Sequence, residues 1–125
     1  MRRSEPIKRV NLKVRVKRSL AALTVLAGVS ATSLAADTAT VSQRGRKFTP
    51  DTLRVTPGTV VQIANDDRVT HHVYIDQPIM KFDSGEQSVG NDVAIRFDRE
   101  GTFAVRCAIH PTMHLDVTVV QPKSP

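Results

Sequence analysis

From Asp37 to Pro125, runs of five or six residues rich in β-branched and apolar side chains recur, each closed off by residues that favour turns. The runs are 39–43, 52–56, 60–64, 71–75, 93–97, 102–106 and 115–120. Between them stand Thr56-Pro57-Gly58, Asn65-Asp66-Asp67, Asp83-Ser84-Gly85, Gly90-Asn91-Asp92 and Arg99-Glu100-Gly101. Gly, Pro, Asn and Asp supply the dihedrals that tight reversals need. Short strands at such spacing build sandwiches or barrels. No stretch of this region carries a helical period, an internal repeat or a low-complexity tract. The expected fold is all-β: a single antiparallel Greek-key β-sandwich of about seven to eight strands.

The charge is divided unevenly. The 125 residues carry a formal charge of +6, yet 1–36 hold +7 and 37–125 hold −1. The globular part therefore has no electrostatic reason to bind nucleic acid. The basic third has the build of a secretory signal peptide. Its basic stretch ends at Lys17-Arg18, an apolar run follows from Leu20, and Ser33 and Ala35 stand at the small-residue positions before a cut. Cleavage is expected near Ala35/Ala36, leaving 37–125 as one domain of about 90 residues. The rival is an uncleaved anchor, but residues 20–36 are diluted by Thr, Ser and Gly and fall short of the ~20 apolar residues of a spanning helix. Once cut, the chain has no segment for stable membrane insertion. Arg2-Arg3 stands too far from the apolar run for a good twin-arginine signal and Lys17-Arg18 is a weak variant, so the export route, Sec or Tat, stays open.

An exported domain usually carries disulfides, but this chain has a single cysteine, Cys107. A lone thiol there needs a use: reactivity, an intermolecular bridge or a metal. Strand alternation says which groups it could meet. In 102–107 the period of two puts Phe103, Val105 and Cys107 on one face, so the sulfur ends a core-facing row. In 71–75 the same rule aligns His71 with Val73 and Ile75 and turns His72 and Tyr74 outward. Downstream, Cys107-Ala-Ile-His110-Pro-Thr-Met113-His114 offers a thiolate, an imidazole and a thioether within seven residues. One loop can wrap those three around an ion if a fourth donor arrives from elsewhere, and His71 is the candidate. Two imidazoles, a thiolate and a weak axial thioether are the donor set of a type 1 (blue) copper site that passes single electrons.

The same residues have other uses open to them. Cys107 alone could be a small buried hydrophobe. Zinc takes Cys and His equally well but rarely a thioether, so it would gain ground if His114 or Asp116 turned in instead of Met113. Against that, Leu115, Val117 and Val119 claim the inward face and leave His114 at the surface. Met80, beside Pro78 and Ile79, reads as packing. A Cys107–His110 nucleophilic pair would need a base, an orienting group and an oxyanion site around a cleft, for which so small a domain has little room.

The sequence resembles the cupredoxins, the family of plastocyanin, pseudoazurin and amicyanin, across essentially all of 37–125. Phe48-Thr-Pro-Asp-Thr-Leu53-Arg-Val55-Thr-Pro-Gly58-Thr-Val60 is similar to the opening strands. Asn65-Asp-Asp-Arg-Val-Thr-His71-His-Val73 is similar to the stretch with the first histidine ligand, and Gly101-Thr-Phe103-Ala-Val-Arg-Cys107-Ala-Ile-His110-Pro-Thr-Met113 to the ligand loop. The short step from His110 to Met113 is nearest to amicyanin. The resemblance implies one copper ion on His71, Cys107, His110 and Met113, and electron transport in the periplasm by a monomer. It further implies a redox partner such as a c-type cytochrome or a quinone-dependent dehydrogenase. Docking is expected where the His110 ring reaches the surface, with Pro111, Pro78 and Ile79 as candidate neighbours. A copper carrier or sensor without electron transfer is the alternative with the same ligands. The family commonly has Asn after the first histidine and Ser or Thr after the cysteine; here those places hold His72 and Ala108, and a ring nitrogen of His72 is the candidate substitute.

Overall fold

The computed structural model describes residues 35–123. The leader expected over 1–36 lies outside the described residues except for Ala35 and Ala36. Among the described residues no helix is long and apolar enough to cross a membrane.

Nine strands form two sheets. They are β1 (Thr38–Gln43), β2 (Phe48–Thr49), β3 (Thr52–Val55), β4 (Thr59–Asn65), β5 (Val73–Gln77), β6 (Met80–Asp83), β7 (Asp92–Phe97), β8 (Gly101–Cys107) and β9 (His114–Val119). One sheet runs β2-β1-β4-β7 and the other β3-β9-β8-β5-β6. Alternation sets the faces: in β4, Val61 and Ile63 are buried while Val60 and Gln62 are half-covered, and in β8 Phe103, Val105 and Cys107 are buried. The core is the apolar layer between the sheets. The ring of Phe97 from one sheet meets that of Phe103 from the other at 5.3 Å, an aromatic contact that ties them together.

Two features depart from the expected sandwich. The sheets are mixed: β1 pairs with β4 and β3 with β9 in parallel. Parallel neighbours need a crossover, and here the chain leaves β1, visits the opposite sheet as β3, and returns as β4. Two strands also go beyond those the sequence pattern predicts. β2 is two residues long, held by Phe48 in the core and by pairing with β1. β6, Met-Lys-Phe-Asp, has no β-branched residue and owes its existence to pairing with β5. Met80 and Phe82 there pack against the core from its edge.

The strand directions also fix where the loops emerge. Ile79, in the β5–β6 turn, lies beside Gly101 at the start of β8. Cys107 ends that strand six residues on, roughly 20 Å away at ~3.4 Å per residue. Pro78 and Ile79 are thus at the opposite end of the sandwich from Cys107, which removes them from any surface around His110.

Candidate metal centre

Three donors converge where β8 ends. Cys107 Sγ lies 3.7 Å from His71 Nδ1 and 3.8 Å from His110 Nδ1, and the two Nδ1 atoms are 3.2 Å apart. All three atoms fall within 4.8 Å of one another, close enough to share one ion. Cys107 and His71 are buried and His110 is partly exposed. Among the described residues this is the one group of three or more His, Cys, Asp or Glu side chains so placed. Met113 is buried at the end of the same loop, its N–H donating to the carbonyl of His110 at 3.0 Å.

Each donor has a structural reason for its place. Cys107 continues the inward row of Phe103 and Val105. Its register partner is Val73, so the residue two before Val73 on the same face, His71, reaches the sulfur. His71 belongs to no strand; it forms an isolated bridge with Gln87, its N–H donating to the Gln87 carbonyl at 3.1 Å and its carbonyl accepting from the Gln87 N–H at 2.7 Å. His110 and Met113 come from the tight turn that joins β8 to β9, and Leu115 re-enters the core directly after it.

The two unusual residues beside the ligands are accounted for. The ring of His72 turns away, Nε2 to Asp83 Oδ1 at 2.6 Å, and so does not substitute for the expected Asn. The backbone ties the ligand segments instead. The His72 N–H donates to Cys107 Sγ at 3.5 Å and the Ala108 N–H to the His72 carbonyl at 2.9 Å, neither of which needs a particular side chain. The Gly85 N–H and then His72 hold Asp83 below the usual carboxylate range. The two groups whose inward turn would have favoured zinc face elsewhere. His114 is exposed with Nδ1 3.3 Å from the Thr112 carbonyl, and Asp116 accepts from the Arg106 guanidinium at 3.2 Å.

Behind His71 stand residues that sequence reading passed over. Asp67 Oδ2 lies 3.2 Å from His71 Nε2. Asp67 was legible only as a turn residue; its spacing of four from His71 is the one signal, and it has meaning only once the loop is folded. The N–H groups of Arg46 and Arg68, donating at 2.7 and 2.9 Å, lower the Asp67 pKa to about 2. Arg46 aims its N–H there from a left-handed conformation, φ 57°, at the turn between β1 and β2. Burial pushes His71 below the ordinary imidazole range, with Asp67 opposing that shift. Gln87 is buried and donates Nε2 to the carbonyls of Ile63 and Asn91 at 2.8 and 2.7 Å. It accepts from Gln43 Nε2 at 2.6 Å, which leaves Gln43 Oε1 buried with no partner among the described residues. Gln43 did carry a signal: it continues the inward row of Ala39 and Val41, where a polar residue is out of place. Asn65 completes this layer, its Nδ2 donating to the carbonyls of Val69 and Gln87, both at 3.0 Å.

No protein-family model matches the chain and no curated protein does. Solved structures match well. A purple cupredoxin from Nitrosopumilus maritimus aligns with a TM-score of 0.59 and 26% identity, over 66% of this chain and 99% of that one. A variant of amicyanin in its reduced state aligns at 0.63 and 21% identity, over 70% of this chain and 87% of its own. The fold is that of the cupredoxins. A copper-containing nitrite reductase from Thermus scotoductus SA-01 also aligns, at 0.59 and 23% identity over 68% of this chain, but this chain spans only 23% of that enzyme. The cupredoxin domain alone is therefore the unit of comparison. Its thiolate and two imidazoles fit one copper ion: the sulfur suits Cu(I), and the imidazoles suit both Cu(I) and Cu(II).

Proposed function

We propose that this cupredoxin is a periplasmic type 1 copper protein that carries single electrons between redox partners. One observation supports the reading above the rest: the buried Cys107 sulfur and two imidazole nitrogens sit within 4.8 Å of one another on elements that the sandwich holds in place. His71, Cys107 and His110 would hold a copper ion there, with Met113, buried at the end of the same loop, as the fourth donor, and the ion would supply a Cu(II)/Cu(I) couple. The residues around it do the rest. His71 and Cys107 come from a bridge and a strand end, so the backbone pairing of the sandwich sets the position of both. Cys107 is 1% exposed, which keeps it from acting as a nucleophile on a substrate and keeps water from the sulfur. The part-exposed ring of His110 is the route for the electron, which enters from a reduced protein and leaves to an oxidised one without a bond being made in the chain. Ala108, Ile109, Pro111 and Thr112 flank His110 along the loop and are exposed. They suit a small, transient contact with a c-type cytochrome or a quinone-dependent dehydrogenase, under about 1,200 Å².

The test is to add Cu(II) to the purified protein and record visible and electron paramagnetic resonance spectra. An intense blue or purple band with narrow copper hyperfine splitting is expected. Cys107→Ser should abolish the band, since it arises from the thiolate; a variant that keeps its colour overturns the ligand assignment. Met113→Leu should leave copper bound at a changed potential. A centre that binds copper but exchanges no electrons with a cytochrome would point to a copper carrier or sensor.

A further inference from the structure

We infer that Asp67 is a positioning residue for the centre: its carboxylate fixes the tautomer of His71 and, by its charge, favours Cu(II) over Cu(I), holding the reduction potential down. The geometry carries the first half without any metal. Asp67 Oδ2 faces His71 Nε2 at 3.2 Å, and the same carboxylate accepts the backbone N–H of Arg46 at 2.7 Å and of Arg68 at 2.9 Å. An ionised carboxylate only accepts, so Nε2 must carry the ring proton. Nδ1 is then left with its lone pair, and it is Nδ1 that faces Cys107 Sγ and His110 Nδ1. The second half rests on the copper reading above. His71 is fully buried and the Asp67 side chain is 13% exposed, so the charge is little screened by water. A negative charge on the far side of a ligand ring makes that ring a stronger donor and favours the more positive ion.

The pairing is also specific. Asp66, the neighbouring carboxylate, is exposed and accepts instead from the Ser42 hydroxyl. His110 has no carboxylate against its ring among the described residues, so the two imidazoles are unequal donors.

Three variants test the inference. Asp67→Asn keeps the size and an acceptor but removes the charge, Asp67→Ala removes both, and Asp66→Asn removes an exposed charge one residue away. In the metal-free protein, nitrogen-15 spectra of the imidazoles should show His71 as the Nε2–H tautomer with a slowly exchanging proton, lost in Asp67→Ala. In the copper-loaded protein, voltammetry should show both Asp67 variants shifted upward while Asp66→Asn stays near the parent. The expected change in Cu(II)-over-Cu(I) preference is about tenfold, or ~59 mV for one electron. A His71 with its proton on Nδ1 in the parent overturns the tautomer assignment. An Asp67→Asn potential equal to the parent, or matched by Asp66→Asn, overturns the charge effect. If the parent takes up no copper, the proposed function fails, and the nitrogen spectra still decide the role of Asp67.

Discussion

The two histidines of the centre share one point and almost nothing else. His71 is buried, bridged to Gln87 by two backbone hydrogen bonds, and has Asp67 against its outer nitrogen. His110 sits in a short turn, partly exposed, its carbonyl closing that turn onto the Met113 N–H. The first is part of the fold; the second is part of a loop that the fold carries. A centre built this way has an anchored side, which fixes geometry, and an open side, where the proposed function puts the contact with partners. The difference teaches that the residues fixing the geometry of the site need not be the ones that bring it to the surface.

The strongest way to break the comparison is to remove each ring in turn from the metal-free protein. His71→Ala empties a packed site and leaves the Asp67 carboxylate without its ring partner, a loss expected at about 2–4 kcal/mol. His110→Ala should cost less than about 1 kcal/mol, as for a part-exposed loop residue. Denaturant unfolding measures both, and equal losses would mean that His71 is no more structural than His110.

A smaller effect is expected one step further back. Gln87→Ala strips the donors from the Ile63 and Asn91 carbonyls and the acceptor from Gln43, at about 1–3 kcal/mol. It should also broaden the His71 ring signals while leaving those of His110 alone. Broadening of both would place the anchor elsewhere.

Acid sharpens the same contrast. Burial lowers the His71 pKa from 6.5, so the unfolded chain takes the proton first. Stability from this group is complete above pH 6.5 and is lost as the pH falls below it, by at most ~1.4 kcal/mol per pH unit for one proton. Asp67 adds a second loss, between 3.8 and about 2, where its lowered carboxyl is finally protonated. His71→Ala should flatten the first of these slopes in the metal-free protein. A slope that survives the substitution would assign it to another group.

Most of this centre could be read from the sequence because its donors obey local rules. Cys107 follows from alternation in a β-rich run, His71 from the same rule applied to 71–75, and the loop from the closeness of three metal-binding side chains. What could not be read lies across the chain rather than along it. Asp67 meets His71 only because Arg46, from a different turn, helps hold its carboxylate in place. Gln87 sits in a segment with no strand pattern, and its role comes from a bridge to a residue 16 positions earlier. The parallel pairings of β1 with β4 and of β3 with β9 were hidden for the same reason, since alternation gives the face of a strand and not the direction of its neighbour. The misplacement of Pro78 and Ile79 at the docking face has that root too: the end of the sandwich at which a turn emerges depends on strand order.

Two exposed isoleucines at opposite ends of the sandwich offer the gentlest test. Ile109 is 45% exposed and precedes His110, while Ile79 is 50% exposed at the far end beside Gly101. Replacing either with Lys touches little of the core and should change stability by no more than about 0.5 kcal/mol. Their effects on electron exchange between two copies of the copper-loaded protein should differ. Under the proposed function exchange requires the His110 faces to meet, and Ile109→Lys would put a like charge on both partners in place of an apolar side chain. A loss of about 1 kcal/mol in the encounter corresponds to roughly fivefold slower exchange, and added salt should recover part of it. Ile79→Lys should exchange at the parent rate. If both variants slow alike, the electron does not leave by the ring of His110, and the open side of the centre must be sought elsewhere on the sandwich.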